Sequence, residues 1–288
     1  EPYPGSDALW IHQQPEWPRF EWDVARIAPL LAQTHHLQGG VLGRMSMIGF
    51  DLQQQANLDI LTQEVIKSSE IEGESFQMAH VRASIAKRLG LDHAGAKEAG
   101  RDVEGAVAMA LDAARNHAQP LTVERLAAWH EGLFPLDAFG FRRILTGQWR
   151  DDASGPMQVI SGPMGMEIVH YEAPPAARLD HEMGVFLEWL NARQSIDPVI
   201  KAALAHFWFV MIHPFEDGNG RIARSITDLC LARSDGQQAR FYSMSGVIHK
   251  RRRAYYAILE RTQKGGMDVT EWVEWFLQTL SDALRESE

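Results

Sequence analysis

A mainly α-helical fold with a single β-hairpin follows from three features of the sequence. Apolar residues recur at helical spacing along most of the chain, as in "QMAHVRASIAKRLG" and "VIKAALAHFWFV". Several of these segments have a marked start or close at a breaker, with a cap at Asp23, a start near Thr122, and ends at Gly90 and Pro214. Only "MQVISGPMGMEIVHYEAPP" departs from the pattern, with two short apolar, β-branched runs joined by "SGPMG".

Taken in order, residues 1–22 hold four prolines and three tryptophans, which predicts an extended arm anchored by aromatic rings. Asp23 then caps a helix to about Gln38. Gly39 and Gly40 break it, and a second long helix runs to about Glu70. The loop "EGES" precedes a helix that stops at Gly90. After the polar "LDHAGAKEAG", helical spacing resumes in "DVEGAVAMALDAARNHA", and "TVER" opens another helix with a carboxylate in its first turn. The hairpin strands fall at about 157–162 and 166–171. Helices return at about 177–194, 198–212, 219–233, 247–263 and 268–285, for eight or so helices in all. No internal repeat or low-complexity tract occurs. The expected division is an N-terminal helical region, 1–92, and a main domain, 93–288, with the hairpin within about 155–172.

Composition narrows the function. A formal net charge of -10 argues against general affinity for nucleic acid or an anionic membrane. The single cysteine, Cys230, rules out an internal disulfide and reads as a small core residue. The longest apolar run, "HFWFVMIHPF", is far short of the roughly 18 residues of a membrane span. The sequence opens at Glu1 with neither Met nor leader-like stretch, and a cytoplasmic location is expected.

The chemistry concentrates in "HPFEDGNGRIAR", residues 213–224. Proline disfavours right-handed helical geometry at the residue before it, so His213 stands at a helix end or just beyond. Phe215 offers an apolar anchor. Gly218 and Gly220 let backbone N–H groups approach an anion at the start of a helix, where the dipole favours negative charge. Arg221 and Arg224 are three apart, on one face, suited to successive phosphates. Asp217 is a hard oxygen ligand fit for Mg²⁺ shared with phosphate oxygens. The intrinsic pKa of His213 suits it to take a proton from a hydroxyl. No G-x-x-x-x-G-K-[ST] sequence occurs, so this is not a Walker-type loop.

The segment "HPFEDGNGR" matches the signature of the Fic family, HPFx[D/E]GNGR, at every position, and Arg224 fits its extension. The resemblance implies a Fic-type helical bundle that moves AMP from ATP-Mg²⁺ to a protein hydroxyl. It implies His213 as the base acting on a target Ser, Thr or Tyr, and Asp217 as the Mg²⁺ ligand. Gly218, Asn219 and Gly220 would form the phosphate nest, with Arg221 and Arg224 on the β and γ phosphates. The hairpin resembles the family's flap, which registers the target segment by strand addition and here presents Val159, Ile160, Ile168 and Val169. Downstream, "KRRRAYYAILERTQKGG" resembles the region that brackets adenine. Tyr256 and Gln263 stand at those places, Gln263 where many relatives carry Asn. The run Lys250–Arg253 reads as a solvated helix face.

A second stretch, "SSEIEGE" at 68–74, reads alone as a helix end with a turn at Glu72-Gly73. It also resembles the family's inhibitory motif, [S/T]xxxE[G/N], through Ser68, Glu72 and Gly73. That resemblance implies a Glu72 pair with Arg224 in the place of the ATP γ-phosphate, the motif lying N-terminal to the core. The helical region before it is similar to the one preceding the Fic core in many bacterial members. Such proteins often carry a C-terminal winged helix as well, and this sequence ends before one.

Alternatives remain at this stage: removal of AMP with Glu72 positioning water, or nucleotide sensing with little catalysis. The complete "GNGRIAR" loop argues against kinase-type transfer. His206 and His213 are seven apart, but no HExxH set accompanies them, and His206 reads as a core residue. A homodimer is compatible with the family, with no interface marked in the sequence.

Overall fold

The computed structural model describes residues 10–91, 99–135, 144–162 and 166–287. Among them are eleven α-helices and one two-stranded antiparallel sheet. The helices are α1 Val24–Met47, α2 Phe50–Ile71, α3 Met78–Leu89, α4 Arg101–Arg115, α5 Val123–Leu133, α6 Leu179–Asn191, α7 Pro198–Ile212, α8 Asn219–Asp235, α9 Met244–Lys250, α10 Arg252–Gln263 and α11 Thr270–Glu286. The strands are β1 Gln158–Ser161 and β2 Ile168–Glu172. The mainly α class is as the sequence predicts. The expected boundary at 92/93 and the tip of the hairpin, 163–165, lie outside the described residues.

Caps form at Asp23 and Gly90, where the sequence places them, and a further one at Thr122, where it places a helix start. The Asp23 carboxylate accepts from Arg26 N, the Thr122 hydroxyl from Arg125 N, and Gly90 ends α3 in the left-handed region at φ 73°. Two expectations need correction. Gly39-Gly40 does not break the first helix, which runs on to Met47, and the break falls at Ile48-Gly49. The cost of two glycines, about 1 kcal/mol each, is small beside the packing of a 24-residue helix against α11. The span 247–263 is two helices, because Arg251 leaves helical geometry at ψ 26° between α9 and α10.

The core is organised around α7, whose apolar sequence is buried on nearly every side. Its most extensive partner is α8, and α6 and α11 cover it further. The aromatic arm closes the outside: Trp17 and Phe20 meet Trp208 edge-on, and Glu21 bridges to Asp268. Cys230 and His206 lie within the core. Lys250 and Arg251 are exposed and pair with Glu286 and Asp282 of α11. Among the described residues, no helix is long and apolar enough to cross a membrane.

Candidate active site

The α7–α8 connection is held from several sides. With right-handed geometry disfavoured by Pro214, His213 closes α7 in the left-handed region at φ 52°, the one described non-glycine residue with positive φ. Phe215 is fully buried, its ring stacked on that of His130 at 4.0 Å. The Asn219 side chain turns back into the loop, accepting from Phe215 N at 3.0 Å and donating to Phe215 O at 2.8 Å. Gly218, at φ 79°, is the N-cap of α8, and it has no side chain to satisfy the first N–H groups of that helix.

Two residues that the sequence reading does not single out complete the scaffold. Arg150 donates Nε–H to His213 O at 2.8 Å and Nη2–H to Pro174 O at 2.6 Å, while its backbone N–H reaches Pro214 O at 2.9 Å. His130 accepts from Gly147 N at Nδ1, so its Nε2–H donates to Asp217 O at 3.1 Å. Neither carries a local signal. Each comes from a separate segment that only the tertiary fold brings to the loop.

The loop forms one wall of a cleft of about 640 Å³, within the range of small-molecule sites. His213, Asp217 and Gly218–Gly220 line it, with Tyr256 and Gln263 of α10, Val159 and Ile160 of β1, and Glu72 at the end of α2. Ile168 and Val169 stand on β2, exposed to solvent. Of the residues expected at the site, Gln263 is committed elsewhere in this state, since its Nε2–H donates to His170 O at 2.6 Å.

Burial drives the His213 imidazole down to about 4, so it is neutral at ordinary pH. Its Nδ1–H donates to Val210 O at 3.3 Å, which leaves the lone pair on Nε2. His206, seven residues earlier, is also pushed down by burial, to about 3. Both of its ring nitrogens are engaged, by Thr227 and Tyr255 hydroxyls at 2.9 and 2.8 Å. Two histidines on one helix thus differ in what remains free: nothing on His206, one nitrogen on His213.

The end of α2 reaches both arginines. Glu72 Oε1 lies 2.8 Å from Arg224 Nη2, and Arg224 also donates to the Ser68 hydroxyl and carbonyl, each at 2.8 Å. Gly73, at φ 87°, turns the chain so that Glu74 Oε2 meets Arg221 Nη1 at 2.5 Å. Glu74 stands in the quoted "SSEIEGE" but was not picked out by the motif; its spacing of two from Glu72 across a glycine is the signal. Burial acts to raise the Glu72 carboxyl, but Arg224, then Arg221 and Arg252, outweigh it and hold it below the usual range. Glu74 is raised, by burial first and by the nearby Asp217 against the pull of Arg221.

A helical bundle whose central helix pair is joined by this histidine-to-arginine loop defines a Fic-type fold, and comparison with known proteins agrees. Residues 120–231 match the Fic/DOC family, and residues 10–91 match a domain of unknown function, DUF4172. The chain carries a Fic domain. It is 26% identical over 215 residues to a protein named protein adenylyltransferase Fic from Culex quinquefasciatus, covering 74% of this chain and 39% of that one. To the protein of the same name from Drosophila grimshawi it is 27% identical over 234 residues, covering 80% and 44%. The chain therefore spans about two fifths of the length of these relatives. Among solved structures, a Fic family protein from Desulfovibrio desulfuricans G20 superposes with a TM-score of 0.67 at 26% identity, covering 92% of this chain and 75% of that one.

Proposed function

We propose that the chain is a protein adenylyltransferase, moving AMP from ATP to a Ser, Thr or Tyr hydroxyl of a target protein or of itself, and that Glu72 and Glu74 hold its resting state off. One observation carries the reading. Both arginines suited to a nucleotide's phosphates are occupied by carboxylates from the end of α2, at the cleft that His213 lines.

In the transfer, His213 Nε2 accepts the proton of the target hydroxyl. The hydroxyl oxygen bonds to the α-phosphorus, the bond from that phosphorus to the bridging oxygen breaks, and pyrophosphate leaves with the electron pair. The N-terminus of α8, capped by Gly218 and with the Glu72 carboxylate resting against Gly220 in this state, favours the phosphates through its free N–H groups and dipole once Glu72 withdraws. Asn219 serves this nest by bracing the loop through its side chain. Arg221 and Arg224, once released, hold the β and γ phosphates in fork geometry. The Tyr256 ring, 40% exposed in the cleft, is placed to stack on the base.

The donor set fits Mg²⁺. Among the described residues no three His, Cys, Asp or Glu side chains converge as a cage. Asp217 offers a single exposed carboxylate beside the phosphate loop, the arrangement for a cation that shares its shell with substrate oxygens and water. Bound there, Mg²⁺ would offset phosphate charge.

Inhibition then has two contacts. Glu72 takes the place of a phosphate oxygen at Arg224, and Glu74 does the same at Arg221. The test is transfer of α-³²P label from ATP-Mg²⁺ to protein. Glu72→Gly should label, Glu72→Gly/Glu74→Gln should label more, and Glu72→Gly/His213→Ala should fall by about 10²–10⁴. No label in any form, with ATP binding intact, would sink the proposal. A second reading, removal of AMP, is favoured by the ionised Glu72 carboxylate facing the same cleft as His213, where it could hold a water. Loss of AMP from a labelled acceptor with wild type but not Glu72→Gly would select it.

A further inference from the structure

The hairpin is tied to the cleft through one residue. Val159 pairs with Tyr171, but the next pair is Ile160 with Val169, so His170 is an extra residue on β2. A bulge of this kind re-aims a side chain out of the strand's alternation. Here the ring turns to α10. His170 Nδ1 lies 3.2 Å from Glu260 Oε2, and Nε2 lies 2.6 Å from the Ser161 hydroxyl at the end of β1. The His170 carbonyl accepts from Gln263 Nε2 at 2.6 Å. Glu260 and Gln263 are three apart, so one face of α10 supplies both contacts. At the base of the hairpin Tyr171 donates to Met211 O at 2.7 Å. Beyond that anchor, residue 170 joins both strands to the helix that forms the facing wall.

We propose that His170, with Glu260 and Gln263, is a positioning latch that fixes the hairpin over the cleft and thereby the register of a target segment against His213. The inference rests on the adenylyltransferase reading and gives Gln263 a task other than contact with adenine. One amide N–H is spent on the hairpin, and the side chain, although it lines the cleft, is buried there. The latch also explains why apolar side chains as exposed as Ile160 and Ile168 can sit on a two-stranded sheet, which is marginal on its own.

The test has two readouts on the full chain. Amide hydrogen exchange of β1 and β2 should quicken about tenfold in Gln263→Leu and in His170→Ala, with exchange in α7 and α8 unchanged. Glu260→Gln, which keeps an oxygen beside the ring, should stay near wild type. In the Glu72→Gly background the same two variants should raise KM for the acceptor protein several-fold while kcat and KM for ATP hold. Unchanged hairpin exchange in both variants would overturn the latch. So would a raised KM for ATP in Gln263→Leu with the hairpin unaffected, which would return Gln263 to the nucleotide. Exchange needs no turnover, so absence of AMP transfer would defeat the adenylyltransferase reading without deciding the latch. Should one variant fail to fold, the other carries the measurement.

Discussion

The signature loop and the β1–β2 hairpin face each other across one cleft, and they are built on opposite terms. In the loop, Phe215, Asn219, Arg221 and Arg224 are buried, and Asn219, Arg150 and His130 supply bonds from three directions. In the hairpin, Val159, Ile160, Ile168 and Val169 lie open to solvent, and contacts around residues 170 and 171 hold the strands. The difference teaches where tolerance lies. On the adenylyltransferase reading, groups that must meet a phosphorus atom need an over-determined frame, whereas a surface that pairs with a strand needs free edges and exposed apolar side chains.

The comparison breaks hardest at Asn219. Asn219→Ala leaves a buried N–H and C=O of Phe215 without partners, and should cost about 2–4 kcal/mol in urea unfolding and abolish transfer. A cost under 1 kcal/mol would mean that the loop closes by other means.

Next comes pH. Burial lowers both His206 and His213 from the ordinary value of 6.5, so the unfolded chain binds protons that the folded chain refuses. Stability tied to these groups is present above 6.5 and lost as pH falls toward about 4 for His213 and about 3 for His206. At pH 5 each group costs about 2 kcal/mol, as an upper figure. His206→Gln should therefore lose about 2 kcal/mol less than wild type between pH 7.5 and 5, compared by urea midpoints. Equal losses would show that burial does not hold His206 neutral. Activity should keep its base down to pH values well below 6.5, since His213 protonates only near 4.

A finer probe is the left-handed backbone at His213. A side chain with Cβ is strained there, so His213→Gly should be more stable than His213→Ala by about 1 kcal/mol, while neither transfers AMP. Equal stability would place the strain elsewhere.

Much of this was legible in the sequence because its determinants are local. The order His-Pro-Phe states a helix end, a disfavoured right-handed turn and an anchor in three letters, and the structure realises each. Glycine at 90, aspartate at 23 and threonine at 122 likewise act on their own turns. What sequence could not supply is long-range. Arg150 and His130 read as ordinary residues, and only folding brings them 63 and 87 positions along the chain to His213 and Asp217. The misplaced break at Gly39-Gly40 has the same origin: local propensity argues for a stop, and packing on α11 overrides it. Glu74 lay in plain view, but a pair with Arg221 requires knowing that Gly73 turns the chain back.

The smallest effect on stability falls on the hairpin, and it sharpens the comparison most. Ile168 is 61% exposed, so replacing it removes little buried area. Ile168→Ser should shift the unfolding free energy by no more than about 0.5 kcal/mol, the ordinary range for a surface site. If the hairpin registers a target segment, the same change should lower acceptor modification several-fold in the Glu72→Gly background and leave ATP binding untouched, because the apolar side chain serves a partner rather than the fold. Equal modification with and without Ile168 would make the exposed apolar edge incidental, and the loop alone would then account for the cleft.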